Sequence, residues 1–208
     1  MRKQFVTAVL YTIVTTLLLG LAYPLVITVL AQWLMPRQAN GELITRGGTI
    51  IGSQLIGQSF TGAGYFYGRP SAAGNGYDAA NSSGSNLGPT NAALITRVEQ
   101  SAAQLRQNHG DAEVPVDLVT TSGSGLDPDI SPAAAQYQIP RVARETGLSP
   151  AQLAQLVQSN TQARQFGILG EPRVNVLALN LSLRQLLAET HAASPSRAAG
   201  ADSGKAQQ

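Results

Sequence analysis

From Gln4 to Pro36 the chain carries no charged side chain, a run of 33 positions bounded by Arg2, Lys3 and Arg37. A helix crossing a hydrocarbon core of about 30 Å needs ~20 such residues, and core helices of soluble domains are rarely so long or so apolar. In lipid a single segment must satisfy its own backbone hydrogen bonds, which leaves a helix as the available form. The run therefore predicts a membrane-spanning helix over Phe5 to Leu34, with its flanks at 1–36. Trp33 stands near the far end, where an indole favours the membrane interface. The competing reading is a cleaved signal peptide, with Phe5 to Leu19 as the apolar region and Gly20-Leu21-Ala22 as a small-x-small site. The run continues past Ala22, and Pro24 follows closely, which favours retention.

Basic residues at the two ends set the orientation. Arg2, Lys3 and the α-amino group crowd one end, whereas Arg37 and Arg46 are spread along the other. The N-terminus is expected in the cytoplasm and the remaining chain outside, in a periplasm. Within the span Ala8, Thr12, Thr16 and Gly20 recur every fourth position, a small-residue row suited to close packing against another helix. Pro24 removes one backbone bond and predicts a kink. A single helix without intramembrane charge cannot line an ion path by itself.

The rest reads as one mixed α/β domain, with a small sheet flanked by helices. Residues 37–48 read as a linker, 49–189 as an extracytoplasmic domain and 190–208 as a disordered tail. Thr49 to Phe60 suggests a strand or bulged hairpin, and "GYFYGRPSA", Gly64 to Ala72, a strand stopped at Arg69-Pro70. Residues 71–90 form a long Gly/Asn/Ser loop, of a length usually functional or disordered. Thr90 or Asn91 caps a helix to Asn108. Glu113 to Ser122 reads as a strand, followed by Gly123 to Gly125. Ser131-Pro132 opens a helix to Thr146, with Pro140 bending or splitting it and Gly147 ending it. Ser149-Pro150-Ala151-Gln152 is a capping box for a helix to Ser159. Arg173 to Asn180 alternates like a strand, and Asn180 caps a last helix through Glu189.

Several chemistries fit poorly. Charged residues are 12% of the chain, about half the usual share, and cysteine is absent. A net charge of +2 gives no case for a nucleic-acid partner. The two histidines, His109 and His191, fall in a polar loop and in the tail, which offers no rigid Ser-His-Asp scaffold. Asp127-Pro128-Asp129 lacks calcium-loop spacing and suits a turn before a helix. No catalytic or metal-ligating residue is assigned. Ser122, Gly123, Ser124 and Gly125 have the general layout of an anion-binding loop but lack a P-loop lysine. "RVARETGLSPAQLAQLV" has helix-turn-helix cadence, yet after Ser149 no Lys or Arg occurs until Arg164.

"GYFYGRPSA", "SSGSNLGPTN", "VPVDLVTTSGSGLDPDISPAAAQYQIPRVA" and "EPRVNVLALN", in that order behind one span, resemble the C subunit of Kdp-type potassium-transporting ATPases. The resemblance runs from the membrane helix to about residue 189. It implies an inner-membrane complex with a channel-like A subunit that carries potassium, a P-type ATPase B subunit and a small F subunit. It also implies an accessory role, needed for assembly and activity, as a catalytic chaperone that raises the B subunit's affinity for ATP. ATP and potassium would be handled by the complex, with no cofactor held by this chain alone. The chain has neither an aspartyl-phosphate signature nor a selectivity-filter sequence. The alternative is a secreted or membrane-anchored hydrolase after signal cleavage.

With the domain outside, alternation points Phe66 inward and leaves Tyr65 and Tyr67 to meet a partner surface. Arg69 would anchor a partner carboxylate or tie down the 71–90 loop. Ser85 and Asn86 belong to the same family-motif group.

Overall fold

A computed structural model of the protein describes residues 1–109 and 112–202. The chain separates into two compact units, Met1–Ser53 and Gln54–Gln208.

The first unit begins with one unbroken helix, Arg2–Leu34, of 33 residues and mean hydropathy 2.3, none of its apolar window buried. It comprises α1 (Arg2–Thr15), a π-helical stretch Thr16–Ala22 and α2 (Tyr23–Leu34). The π stretch ends just before Pro24. Proline has no N–H for the Gly20 carbonyl and its ring crowds that oxygen, so the wider i→i+5 turn relieves the clash where a kink was expected. A single helical turn, α3 (Pro36–Ala39), follows. Then β1 (Leu43–Arg46) pairs antiparallel with β2 (Thr49–Ser53), with a bulge between Ile44 and Thr45. Gly47 and Gly48, at φ of 57° and 80°, supply the left-handed pair that a tight hairpin turn requires. Part of the segment expected as a linker is thus a strand, and the second unit begins at Gln54 rather than Thr49.

In the second unit local signals fix the helix starts. Asn91 Oδ1 accepts from Ala93 N–H at 2.9 Å at the head of α4 (Ala92–His109). Ser131 Oγ accepts from Ala134 N–H at 3.1 Å at the head of α5 (Pro132–Thr146), which Gly147 ends at φ 73°. Pro140 lies inside α5 without splitting it. Its ring is on the exposed face, and the Gln136 carbonyl it leaves unpaired belongs to an exposed residue. Ser149 and Gln152 form the expected capping box of α6 (Pro150–Ser159).

Three expected strands are absent or shortened. Glu113 to Ser122 contains a short 3-10 turn, Val116–Leu118, followed by buried Leu118 and Val119 side by side. Consecutive burial is not the alternation of a half-buried strand. Gly64 to Ala72 opens on a turn at Gly64 and a bend at Tyr65, and none of it pairs as a strand. Arg173 to Asn180 yields β5 (Arg173–Asn175) and then α7 (Val176–Asp202). Val176, Leu179, Asn180 and Leu183 are buried at helical spacing, and Asn175 Oδ1 caps from Ala178 N–H at 3.0 Å. The cap is therefore Asn175 and not Asn180. α7 continues to Asp202, where an end at Glu189 and a disordered tail were expected. Residues 203–208 lie outside the described residues.

β5 is the middle of a three-stranded antiparallel sheet between β3 (Asp129–Ile130) and β4 (Thr161–Gln162), in the order β3-β5-β4. One core joins Phe66, Ile130, Ile139, Val142, Leu153, Val157, Val174, Leu179 and Leu183. The mixed α/β class expected from the sequence is the observed one.

Candidate functional site

The aromatic stretch is the hub of the second unit. Phe66 is fully buried, as alternation predicts. Its peptide is gripped by a side chain from α7: Phe66 N–H donates to Asn180 Oδ1 at 2.9 Å, and Asn180 Nδ2 donates to the Phe66 carbonyl at 2.9 Å. α5 does the same one residue on. Tyr67 N–H donates to Gln138 Oε1 at 2.7 Å, and Gln138 Nε2 donates to the Tyr67 carbonyl at 3.1 Å. Each carboxamide presents one donor and one acceptor, so it imitates a neighbouring strand for a single residue. That is why the Phe66 and Tyr67 backbone groups are satisfied without a sheet.

Arg141 completes the grip. Its guanidinium donates to the Ala63 carbonyl and to Gln138 Oε1, and lies 3.9 Å over the Tyr67 ring. Burial pulls its pKa below the ordinary arginine value, opposed by Tyr67 and Glu145. Tyr65 packs on Phe60 with ring centroids 5.8 Å apart. Both tyrosines are half-buried and engaged within the chain.

Arg69 pairs with Asp127 at 3.0 Å and reaches the Thr120 and Thr121 carbonyls at 3.4 Å. Its partner carboxylate is thus in its own chain. Tyr77, from the 71–90 loop, donates its hydroxyl to the Arg69 carbonyl at 2.6 Å. Burial, reinforced by Asp127, holds the Tyr77 pKa above the usual phenol value. Asp127, Asp129, Asp117, Glu171, Arg69 and Arg173 surround an open cleft of about 320 Å³. Asp129 binds Arg173 at 3.0 Å, and burial raises its carboxyl above the ordinary range against the pull of that cation. Asp117 accepts from Ser131 N–H at 2.7 Å. Among the described residues no group of three or more His, Asp or Glu side chains is placed to hold a metal ion.

The glycine loop packs against residues 71–84. The Ser124 carbonyl accepts from Ser83 N–H at 2.9 Å and Ser82 Oγ at 3.0 Å, and the Gly125 carbonyl accepts from Ser71 Oγ at 2.6 Å. Gly125 N–H donates to the Ser122 carbonyl at 3.3 Å, so it turns into the loop. Gly125 has φ 67°, and a Cβ there would come within 2.5 Å of the Ser83 carbonyl. Gly123 carbonyl lies against Gly84, where a Cβ would come within 2.9 Å of it. These contacts make the loop a joint between two segments. Ser85 is half-buried, and Asn86 is exposed at φ 52°.

In the first unit Ala8, Thr12, Thr16 and Gly20 are all exposed on the apolar helix. Thr12 donates its hydroxyl to the Ala8 carbonyl at 2.9 Å, which satisfies that donor within the helix. A Cβ at Gly20 would have only the Thr16 methyl nearby, at 3.8 Å.

Sequence reasoning missed Gln138, Asn180 and Arg141. Polar residues at core-facing helical positions were the available signal.

A family model described as KdpC, K+-transporting ATPase, c chain, matches residues 5–185. A potassium-transporting ATPase KdpC subunit of Acidobacterium capsulatum is 64% identical over 180 residues, 86% of this chain and 97% of its own length. The protein of the same name in Koribacter versatilis is 58% identical over 183 residues, 88% of this chain and 95% of its own. The one in Rhodopseudomonas palustris is 55% identical over 195 residues, 88% of this chain and 98% of its own. The family match takes in both the apolar helix and the helical core up to α7.

Proposed function

The chain belongs to the KdpC family, the c chain of potassium-transporting ATPases, and on that premise we propose that it is a non-catalytic, single-pass subunit of an ATP-driven, high-affinity potassium-uptake complex. Its partners are a channel-like potassium-translocating A subunit, a P-type ATPase B subunit and a small F subunit. The N-terminus is cytoplasmic, the helix crosses the inner membrane and the α/β unit is periplasmic. The chain itself holds neither ATP nor potassium.

One observation carries this reading: a 33-residue apolar helix, exposed along its length, is joined to a unit whose conspicuous buried polar side chains hold its own main chain. The helix needs lipid or other helices around it, and the folded unit behaves as a scaffold. The small-residue row supplies a face for another helix. With a periplasmic unit and a cytoplasmic ATP site, the chaperone action is indirect. The subunit braces its partners and biases a conformational equilibrium, which changes nucleotide affinity without touching nucleotide.

The test is recovery of the complex in detergent from cells expressing the whole system, with the tag on this chain. Copurification of the pump subunits is expected, and a lone monomer refutes the proposal. N-terminal sequencing that begins at Tyr23 would instead support the secreted-hydrolase alternative.

A further inference from the structure

The segment between β4 and β5 forms an arm whose every residue from Gln162 to Arg173 is exposed. Near its tip Gln165 and Leu169 exchange two backbone hydrogen bonds at 2.9 Å, and Ile168 N–H donates to the Gln165 carbonyl at 3.2 Å. The two central residues of that turn, Phe166 and Gly167, have φ of 55° and 78°. Positive φ favours Gly, Asn or Asp, because a bulky side chain is strained there. Phenylalanine is a poor choice for the turn. It is equally unused by the core: Phe166 is 83% exposed, with Ile168 at 75% and Leu169 at 54% beside it. Neither local geometry nor packing within the unit accounts for an aromatic ring here. Strain kept at an exposed position points to a use outside the fold.

Charge decides the kind of partner. Arg164 pairs with Glu171 across the arm at 2.5 Å, and Arg173 pairs with Asp129 at its base at 3.0 Å. Both arginines of the arm are therefore paired, Arg164 with the arm's own Glu171 and Arg173 with Asp129 of β3. Adhesion to anionic lipid draws on free basic side chains beside the apolar group, and this arm commits its own elsewhere. A neutral, stiff tip with one aromatic and two aliphatic side chains matches the central anchor of a protein interface, held ready in its bound shape.

We propose that Phe166, Ile168 and Leu169 form a docking knob that seats in an uncharged apolar recess on another membrane-embedded subunit of the same ATPase. This inference rests on the subunit role above. The turn supplies its own control, because Phe166→Asn installs the preferred residue while removing the ring. In the complex purified through this chain, Phe166→Asn lowers the pump subunits retained at limiting concentration by roughly 30-fold, while the variant chain melts at or above the wild-type temperature. Phe166→Leu restores most of the retention. Benzoyl-phenylalanine placed at position 166 in the assembled complex gives a light-dependent adduct with another ATPase subunit. Wild-type retention by Phe166→Asn, or adducts confined to lipid or to a second copy of this chain, overturns the knob. If the wild-type chain retains no ATPase subunit, the subunit role itself fails, and the knob falls with it.

Discussion

Replacing Asn180 by Leu measures what the carboxamide grip contributes. Leucine keeps the volume and apolar surroundings of a side chain only 1% exposed, and deletes two hydrogen bonds of 2.9 Å to the Phe66 peptide. Phe66 is itself at 0% exposure, so its N–H and carbonyl cannot turn to water. Each orphaned buried group costs about 1–3 kcal/mol, so the two together give a loss of roughly 2–6 kcal/mol from a total stability of order 5–15 kcal/mol. For a unit of this size 1 kcal/mol moves the melting temperature by about 2–4 °C, so the variant melts roughly 4–24 °C lower. Asn180→Asp separates hydrogen bonding from volume. Its carboxylate can accept from Phe66 N–H but faces the Phe66 carbonyl, and burial raises its folded pKa above the unfolded value of ~3.9. The stability of the protonated form is then present below that value and is lost as pH rises through the folded pKa. Thermal melts of the full chain in detergent, followed by circular dichroism from pH 4 to 8, should show the Asp variant falling progressively while the Leu variant keeps a constant deficit. A Leu variant that melts within about 2 °C of wild type, or an Asp deficit that does not grow with pH, would refute the argument.

Asp127→Asn removes the pair with a half-buried Arg69 and should lower stability by about 1–2 kcal/mol, seen as a lower denaturation midpoint. Asp129→Asn should not lower it at neutral pH. The raised folded pKa means that ionising Asp129 costs stability as pH climbs from its ordinary value through the folded one, and the amide keeps an acceptor for Asn175. Gly125→Ala should melt clearly lower, because its φ of 67° and the Ser83 carbonyl both oppose a Cβ. Removing residues 37–208 while keeping the helix should abolish growth at micromolar potassium. Adding the full chain to the isolated P-type ATPase subunit should strengthen its apparent ATP affinity by about 5–150-fold, the range of ordinary allosteric coupling.

Most helix starts were legible because their signals are local. Asn91, Ser131-Pro132 and Ser149 with Gln152 each satisfy orphan backbone donors within a turn, and Gly147 ends α5 by its own conformational freedom. Short apolar runs were not legible. Arg173 to Asn180 alternates well enough for a strand, yet Val176 onward also fits a helical face, and packing chose the helix. Phe66 was placed inward correctly, whereas the side chains that hold its peptide lie 114 and 71 residues away, beyond any local pattern. The exposed arm gave no periodicity, and its strain exists only as a backbone angle.

The amino-acid order alone determined a helix long and apolar enough to cross a membrane, because the cost of leaving backbone groups unpaired in hydrocarbon admits one form for such a run. It also determined where most helices begin and, through four ordered blocks, which family the chain joins. The tertiary structure decided what the polar residues of those blocks are for. A carboxamide in water has no preferred partner, and it becomes a substitute strand only when two helices bring it, dry, against a peptide that has nothing else to bond.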